Sequence, residues 1–374
     1  MTIRWWLALG LCLPSLASAC DFEEVAFSAE FEGGKLSQCE QLGDGHFRLT
    51  TVAENYPINP SPWYAFTVVS KTGAREIEIE LVAEQSRARY MPKISTDGDT
   101  WETVPFTVVD QQFQFSLKIS DQPLYVAGQE LWTAEDYQQW MTTGARAQRF
   151  NTTVIGQSVQ GRDIVAMQAV AENNKEWLLV IGRQHPPELT GAIGLLSFVD
   201  YLAADADLQN AFYNRYNVLV VPMVNPDGVA NGHWRHNAGG KDLNRDWGEF
   251  SQPETKAVID YLNQQLGEDE RLAFALDFHS TQQDIFYTLA PESGAQPTDF
   301  VTRWLDALKA SRLSSFTVRE RASYREESHV FTHYIGRTYG VHAVTFEFGD
   351  NTPRELVRHI GQQSAHELML LMKD

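Results

Sequence analysis

Four apolar runs constrain the fold more than any other feature. They are EWLLVIG from Glu176, YNVLVVPMV from Tyr216, LAFALDF from Leu272 and HAVTFEF from His342. A strand that is apolar along its whole length needs cover on both faces, so these runs predict a mixed, mostly parallel sheet flanked by helices. Helical patterns fall between and around them. TAEDYQQWM reads as a helix capped by Thr133. SQPETKAVIDYLNQQL opens with Ser251 and Glu254 at capping-box spacing, and TPRELVRHIGQQSAHELMLLM places Pro353 at a first helical position.

Ahead of Leu131 the pattern differs. HFRLTTVAE, WYAFTVVS, REIEIELVAE and QFQFSLKIS alternate apolar and polar residues, with turn signals in SKTGAR and STDGDTW. They predict a small antiparallel β-sandwich domain over residues 20–128, followed by an α/β domain over 129–374. The chain has 374 residues, enough for two cores.

The first residues read as an export signal, 1–19. MTIR is basic, WWLALGLCLPSL is an apolar stretch too short to span a bilayer well, and Ala17-Ser18-Ala19 has the form of a cleavage site. Export would put the protein in the periplasm or the medium. Cleavage removes Cys12 and leaves Cys20 and Cys39, one pair suited to a disulfide. The rival reading makes Cys20 a lipoprotein anchor, although Ala17 stands where a leucine is usual. No later stretch is long and apolar enough for a transmembrane segment. With 30 Lys+Arg against 49 Asp+Glu the net charge is −19, which argues against non-specific binding to nucleic acid or anionic lipid.

Each apolar run delivers chemically capable residues at its carboxyl end, the edge at which open α/β sheets bind ligands. After the first come His185 and Glu188, after the second NPDG (Asn225 to Gly228), after the third His279, and within the fourth Glu347. Two imidazoles and one carboxylate form a zinc shell with a position left for water, so His185, Glu188 and His279 are the candidate ligands of one zinc ion. Glu347, outside that shell, would serve as general base and acid. The loop NGHWRHNAGGKDLNRDW adds Arg235 and Arg245, whose planar forks suit an oxyanion and a carboxylate, and Asp242, placed to orient a ligand imidazole. Taken singly, each motif also reads as a cap, a turn or a strand end. Their order, each at a strand end, does not.

GRQHPPE, NPDG, WR, DLNRDW, DFHS and TFEFGD together resemble the zinc carboxypeptidase family, the carboxypeptidase A-like metallopeptidases, from about Leu131 onward; IGQSVQGRDI from Ile155 also looks like its early stretch. The N-terminal β domain resembles the cytosolic carboxypeptidase-like branch. The resemblance implies that His185, Glu188 and His279 bind zinc, that Glu347 is the general base and acid, and that Arg235 polarises the scissile carbonyl. It implies further that Asn244 and Arg245 grip the C-terminal carboxylate of a peptide substrate, that Asp242 supports His185, and that a tyrosine precedes the catalytic glutamate by some twenty residues. Tyr324 fits that spacing; Tyr334 and Tyr339 lie in the same segment. HPPE departs from the family's commoner glycine before the glutamate, and the export signal departs from the cytosolic branch. His233 and His236, which flank Arg235, read as loop residues near the mouth of the site, with a second metal site as the alternative.

The sequence therefore points to an exported zinc metallocarboxypeptidase acting on peptides with a free C-terminus. A zinc-dependent deacylase or murein-peptide amidase, acting on N-acyl amino acids or cell-wall peptides, is the alternative. A non-catalytic peptide binder is the third reading, and it leaves Glu347 without a task. Side-chain specificity and oligomeric state are not legible.

Overall fold

The structure, a computed structural model, describes residues 19–204, 206–311 and 316–373. The export segment read at 1–19 lies, apart from Ala19, outside the described residues.

The alternating segments form two stacked sheets. One has six strands in the order Ala19–Asp21, Val25–Ser28, Ala65–Ser70, Leu124–Ala127, Lys93–Ser95 and Glu102–Thr103. The other has five, Gln38–Gly43, His46–Thr51, Arg75–Ala83, Gln112–Ile119 and Phe106–Val109. In Arg75–Ala83 the side chains of Ile77, Ile79 and Leu81 turn inward and Glu76 and Glu78 outward, the period of two that the sequence shows. Phe27, Phe47, Phe66, Phe113 and Phe115 fill the space between the sheets. A disulfide joins Cys20 to Cys39, linking an edge strand of one sheet to an edge strand of the other. The sandwich is not wholly antiparallel, because His46–Thr51 pairs in parallel with Arg75–Ala83. Between these two strands the chain crosses to the other sheet as Ala65–Ser70, and it returns running in the original direction.

The apolar runs form the centre of an eight-stranded mixed sheet. Its order is Asn151–Gln157, Asp163–Ala169, Tyr216–Val221, Glu176–Gly182, Arg271–Thr281, Ala343–Gly349, Ile285–Leu289 and Glu320–Ser323. The four central strands are parallel. Leu178 and Val180 face a core built with helices Leu189–Ala203, Phe300–Ala310 and Arg354–Lys373, while Trp177, Leu179 and Ile181 face Pro253–Gln265 and Phe331–Tyr339. This two-sided burial is why the strands carry no polar face. Helices Leu189–Ala203 and Arg354–Lys373 touch through glycine: a Cβ on Gly361 would lie 2.5 Å from the carbonyl oxygen of Gly194.

Thr133 caps its helix in a capping box with Asp136. The box expected of Ser251 and Glu254 does not form. The helix begins at Pro253 with Gln252 as its cap residue, and Asp246 braces the approach to it by accepting the Ser251 and Gln252 amides, both at 3.0 Å, and the Thr255 hydroxyl. Glu254 is thereby left to accept from Asn237 Nδ2 at 2.9 Å. Among the described residues no single helix is long and apolar enough to cross a membrane.

Candidate active site

The loop after strand Glu176–Gly182 is held in an unusual shape before it delivers its ligands. Arg183 adopts a φ of 54°, a left-handed conformation that costs a non-glycine residue about 1 kcal/mol or more. It is compensated locally, since Arg183 Nε donates to the Pro186 carbonyl at 2.8 Å. Asn225 of NPDG adds a second brace, its Nδ2 donating to the Gln184 carbonyl at 3.0 Å. Asp227 of the same motif is buried and accepts from Ser158 Oγ at 2.7 Å and Arg162 Nη1 at 2.8 Å. NPDG therefore supports the site from behind. Glu188 follows the two prolines as the cap residue of helix Leu189–Ala203, where the helix dipole favours a carboxylate.

His185, Glu188 and His279 converge, and all three are buried. His185 Nδ1 lies 3.0 Å from Glu188 Oε1 and 3.1 Å from His279 Nδ1, and His279 Nδ1 lies 2.7 Å from Glu188 Oε2. The far nitrogen of each ring meets a second carboxylate, His185 Nε2 with Asp242 Oδ1 at 2.9 Å and His279 Nε2 with Asp277 Oδ2 at 2.7 Å. Those partners place the proton on Nε2, which turns the two Nδ1 lone pairs toward each other and toward the Glu188 carboxylate. Three electron-pair donors facing one point in a dry interior call for a cation, and two imidazoles with one carboxylate suit zinc. Burial opposes ionisation of Glu188, yet the His185 and His279 rings hold its carboxyl well below the usual range.

Asp242 links this centre to Arg235. It accepts from Arg235 Nε at 2.7 Å through Oδ2, while Oδ1 also accepts the Asn244 amide at 2.9 Å. Burial resists its charge, but His185 and Arg235 hold the carboxyl well below its ordinary value. The second guanidinium nitrogen of Arg235, Nη1, stands 3.8 Å from Glu188 Oε1.

A cavity of about 470 Å³ opens over the centre, and His185, Glu188, Arg235, Asn244, Arg245 and Glu347 line it. His279 and Glu347 are register partners on adjacent parallel strands, so the carboxylate stands beside the ligand. Burial, and then the charge of Glu188, push the Glu347 carboxyl up to about 7. Glu347 Oε2 is buried without a hydrogen-bond partner. Arg245 is exposed at the cavity, with Nη1 on the Asn244 carbonyl at 2.7 Å. Asn244 is fixed by the Phe331 amide, which donates to its Oδ1 at 2.9 Å.

Tyr324 does not line the cavity; its ring lies 5.7 Å from that of His333, which does. Tyr334 packs with Phe250 and Trp247 in the core, and the half-buried Tyr339 packs on Tyr334. The tyrosine on the wall is Tyr287, of strand Ile285–Leu289. His233 and His236 belong to the supporting loop, where His233 Nδ1 meets the His236 carbonyl at 3.0 Å and His236 Nδ1 meets Asn55 Oδ1 at 2.5 Å.

Sequence reasoning missed three groups. Asp277 had a signal, because residues two apart on a strand share a face and LDFH therefore aims Asp277 and His279 the same way. Arg89 and Glu54 had none: both come from the sandwich, Arg89 to the cavity wall and Glu54 to the backbone of the loop that carries Arg235. Arg89 lines the cavity, pairs with Asp350 through two bonds of 2.8 and 3.0 Å, and donates to the Ser280 carbonyl at 3.1 Å. Asn59, Pro60, Pro62, Ser86 and Arg87 extend the same wall.

Residues 137–344 match the zinc carboxypeptidase family, peptidase M14. Mouse cytosolic carboxypeptidase 6 is 23% identical over 286 residues, which are 68% of this chain and 53% of that protein. An uncharacterized protein of Zymomonas mobilis is 23% identical over 313 residues, 81% of this chain and 80% of its own. The chain thus spans about half of the mouse relative. Among solved structures, a metallo-carboxypeptidase from Burkholderia cenocepacia has a TM-score of 0.80 at 20% identity, covering 93% of this chain and 99% of that one. A metallo-carboxypeptidase from Pseudomonas aeruginosa, in complex with (2-guanidinoethylmercapto)succinic acid, has a TM-score of 0.76 at 23% identity, covering 92% and 98%. These two neighbours share the fold.

Proposed function

Because the chain belongs to the zinc carboxypeptidase family, and is with it a zinc-dependent hydrolase, we propose that it removes single residues from the C-termini of peptides outside the cytoplasm. One observation carries the reading: His185 and Glu188, which converge with the buried His279, line one cavity together with Glu347, whose Oε2 is unpartnered, and the exposed Arg245.

His185, Glu188 and His279 would hold the zinc. Bound there, zinc supplies a water whose pKa falls to about 7 and a Lewis-acid pull on the scissile carbonyl. The protein groups do the rest. Asp242 and Asp277 fix the two imidazoles in the tautomer that presents Nδ1. Glu347 takes a proton from the attacking water and returns it to the leaving amine. Arg235, held by Asp242, faces the oxygen that gains negative charge. Asn244 and Arg245 receive the terminal carboxylate, which sets the reaction one bond from the end of the chain. Export is supported by the leader-like first residues and by the Cys20–Cys39 disulfide, a bond that persists in oxidising compartments. A cysteine sulfur in that disulfide has no valence left for a thioether-linked lipid. We take the sandwich (20–128) and the α/β unit (129–374) to act together as one enzyme.

The exopeptidase reading has a direct test in Arg245. The folded enzyme is expected to cleave a peptide with a free C-terminus and to spare the same peptide as a C-terminal amide. Arg245→Ala is expected to lower kcat/KM on the free acid ~10–100-fold, the loss of a charge-assisted hydrogen bond of about 1.5–3 kcal/mol, and to shrink the preference for acid over amide. Equal cleavage of acid and amide by the wild type would sink the reading.

A further inference from the structure

The backbone amides at the tip of the loop that carries Arg235 are not paired within the unit they belong to. These three successive N–H groups turn toward the sandwich and converge on one carboxylate. Glu54 Oε2 accepts the Trp234 amide at 2.7 Å, and Glu54 Oε1 accepts the Arg235 amide at 2.9 Å and the His236 amide at 2.5 Å. Consecutive N–H groups pointing to one side form a concave anion site, and here the anion comes from the other unit of the same chain. The Glu54 side chain is only 7% exposed, so water does not readily take its place. Asn55 continues the grip, its Oδ1 on His236 Nδ1 at 2.5 Å and its Nδ2 donating to the Gly240 carbonyl at 3.0 Å. Trp234 is wholly buried against Ala53, Trp63 and Ala127, with its indole N–H on Thr51 Oγ1 at 3.1 Å. The neighbours of Arg235 on both sides are thus anchored in the sandwich, while its own guanidinium turns to Asp242 and Glu188.

We propose that Glu54 is a positioning residue for Arg235, so that the sandwich completes the active site by fixing the arginine that faces the reacting carbonyl. The inference rests on the role given to Arg235 above. Without Glu54, three buried amide donors lose their acceptor, and the loop must shift to find others. A displacement of about 1 Å at a group that acts only on developing charge costs kcat up to 100-fold and leaves substrate binding nearly intact. Glu54 touches neither metal ligand nor cavity, so a merely structural role would lower stability without separating kcat from KM.

The test is a double-mutant cycle on a peptide that the wild type cleaves, with kcat, KM, zinc content and melting temperature measured for each variant. Glu54→Gln keeps the shape but puts an amide where a carboxylate accepted three donors. It is expected to lower kcat ~10–100-fold, with KM within about threefold and zinc retained. Asn55→Ala, a milder change in the same grip, is expected to move kcat in the same direction, and it keeps the test open if Glu54→Gln does not fold. In an Arg235→Ala background Glu54→Gln is expected to change kcat less than about twofold, because the residue it acts through is gone. Wild-type kcat in Glu54→Gln, or losses that multiply in the double variant, would overturn the proposal. Wild-type kcat in Arg235→Ala would instead overturn the carbonyl role on which it rests, a separate failure.

Discussion

Glu347→Gln is expected to lower kcat by about 10³-fold while one zinc per chain remains bound, within the range general acid–base catalysis contributes. The substitution is nearly isosteric and alters none of the three candidate ligands. It removes the one cavity carboxylate with an unpartnered oxygen, the group placed to move a proton between water and amine. Stability should not fall in step. Burial disfavours an ionised Glu347 and its Oε2 has no hydrogen bond to lose, so a neutral amide of the same shape is expected to leave the melting temperature nearly unchanged. Activity that falls while stability holds distinguishes a chemical role from a structural one. A folded, zinc-loaded Glu347→Gln enzyme with wild-type turnover would remove Glu347 from the mechanism.

Gly191→Ala is expected to damage stability and the metal centre together, because the added methyl falls between two of the candidate ligands. Helix Leu189–Ala203 begins directly after Glu188 and runs hard against strand Arg271–Thr281 at the other ligand. A Cβ on Gly191 would stand 2.3 Å from the His279 carbonyl oxygen and 2.8 Å from its Cα, distances at which backbone must move. Glu188 and His279 would be pushed apart, and the Gly191 amide would lose Ser280 Oγ, now 2.8 Å away. The expected result is a loss of about 3 kcal/mol or more, read by denaturant unfolding, together with weaker zinc retention on dialysis. Wild-type stability and zinc content would show that helix and strand can separate without cost.

Much of this site was legible because the sheet is buried on both faces. Apolar runs without alternation mark such strands, and chemically capable residues then stand out at their ends. His185, Glu188, His279 and Glu347 are found this way from the amino-acid order alone. The α/β fold with a β-sandwich ahead of it followed from the switch between the two kinds of periodicity. What stayed hidden has one physical cause, contact across long sequence separation. Arg89 reaches Asp350, and Glu54 reaches the 234–236 amides, by bonds that no local pattern announces. Tyr324 is the case in which spacing and geometry part. Spacing along the chain singled it out, but a residue in an irregular segment has no fixed direction, and Tyr287 on a neighbouring strand lines the wall. Ser251 had the right residue type for a helix cap, but it lies one residue ahead of the cap position and its amide and hydroxyl both bond to Asp246 instead.

Peptide carboxypeptidase activity is tested most directly by incubating the purified protein with a mixed peptide library, with and without a zinc chelator, and reading the products by mass spectrometry. Loss of single residues from C-termini, abolished by chelator and restored by zinc, is the expected result. Intact peptides in the presence of an enzyme carrying one zinc per chain would contradict a peptide carboxypeptidase, and acyl-amino acids and murein peptides would then be the substrates to test.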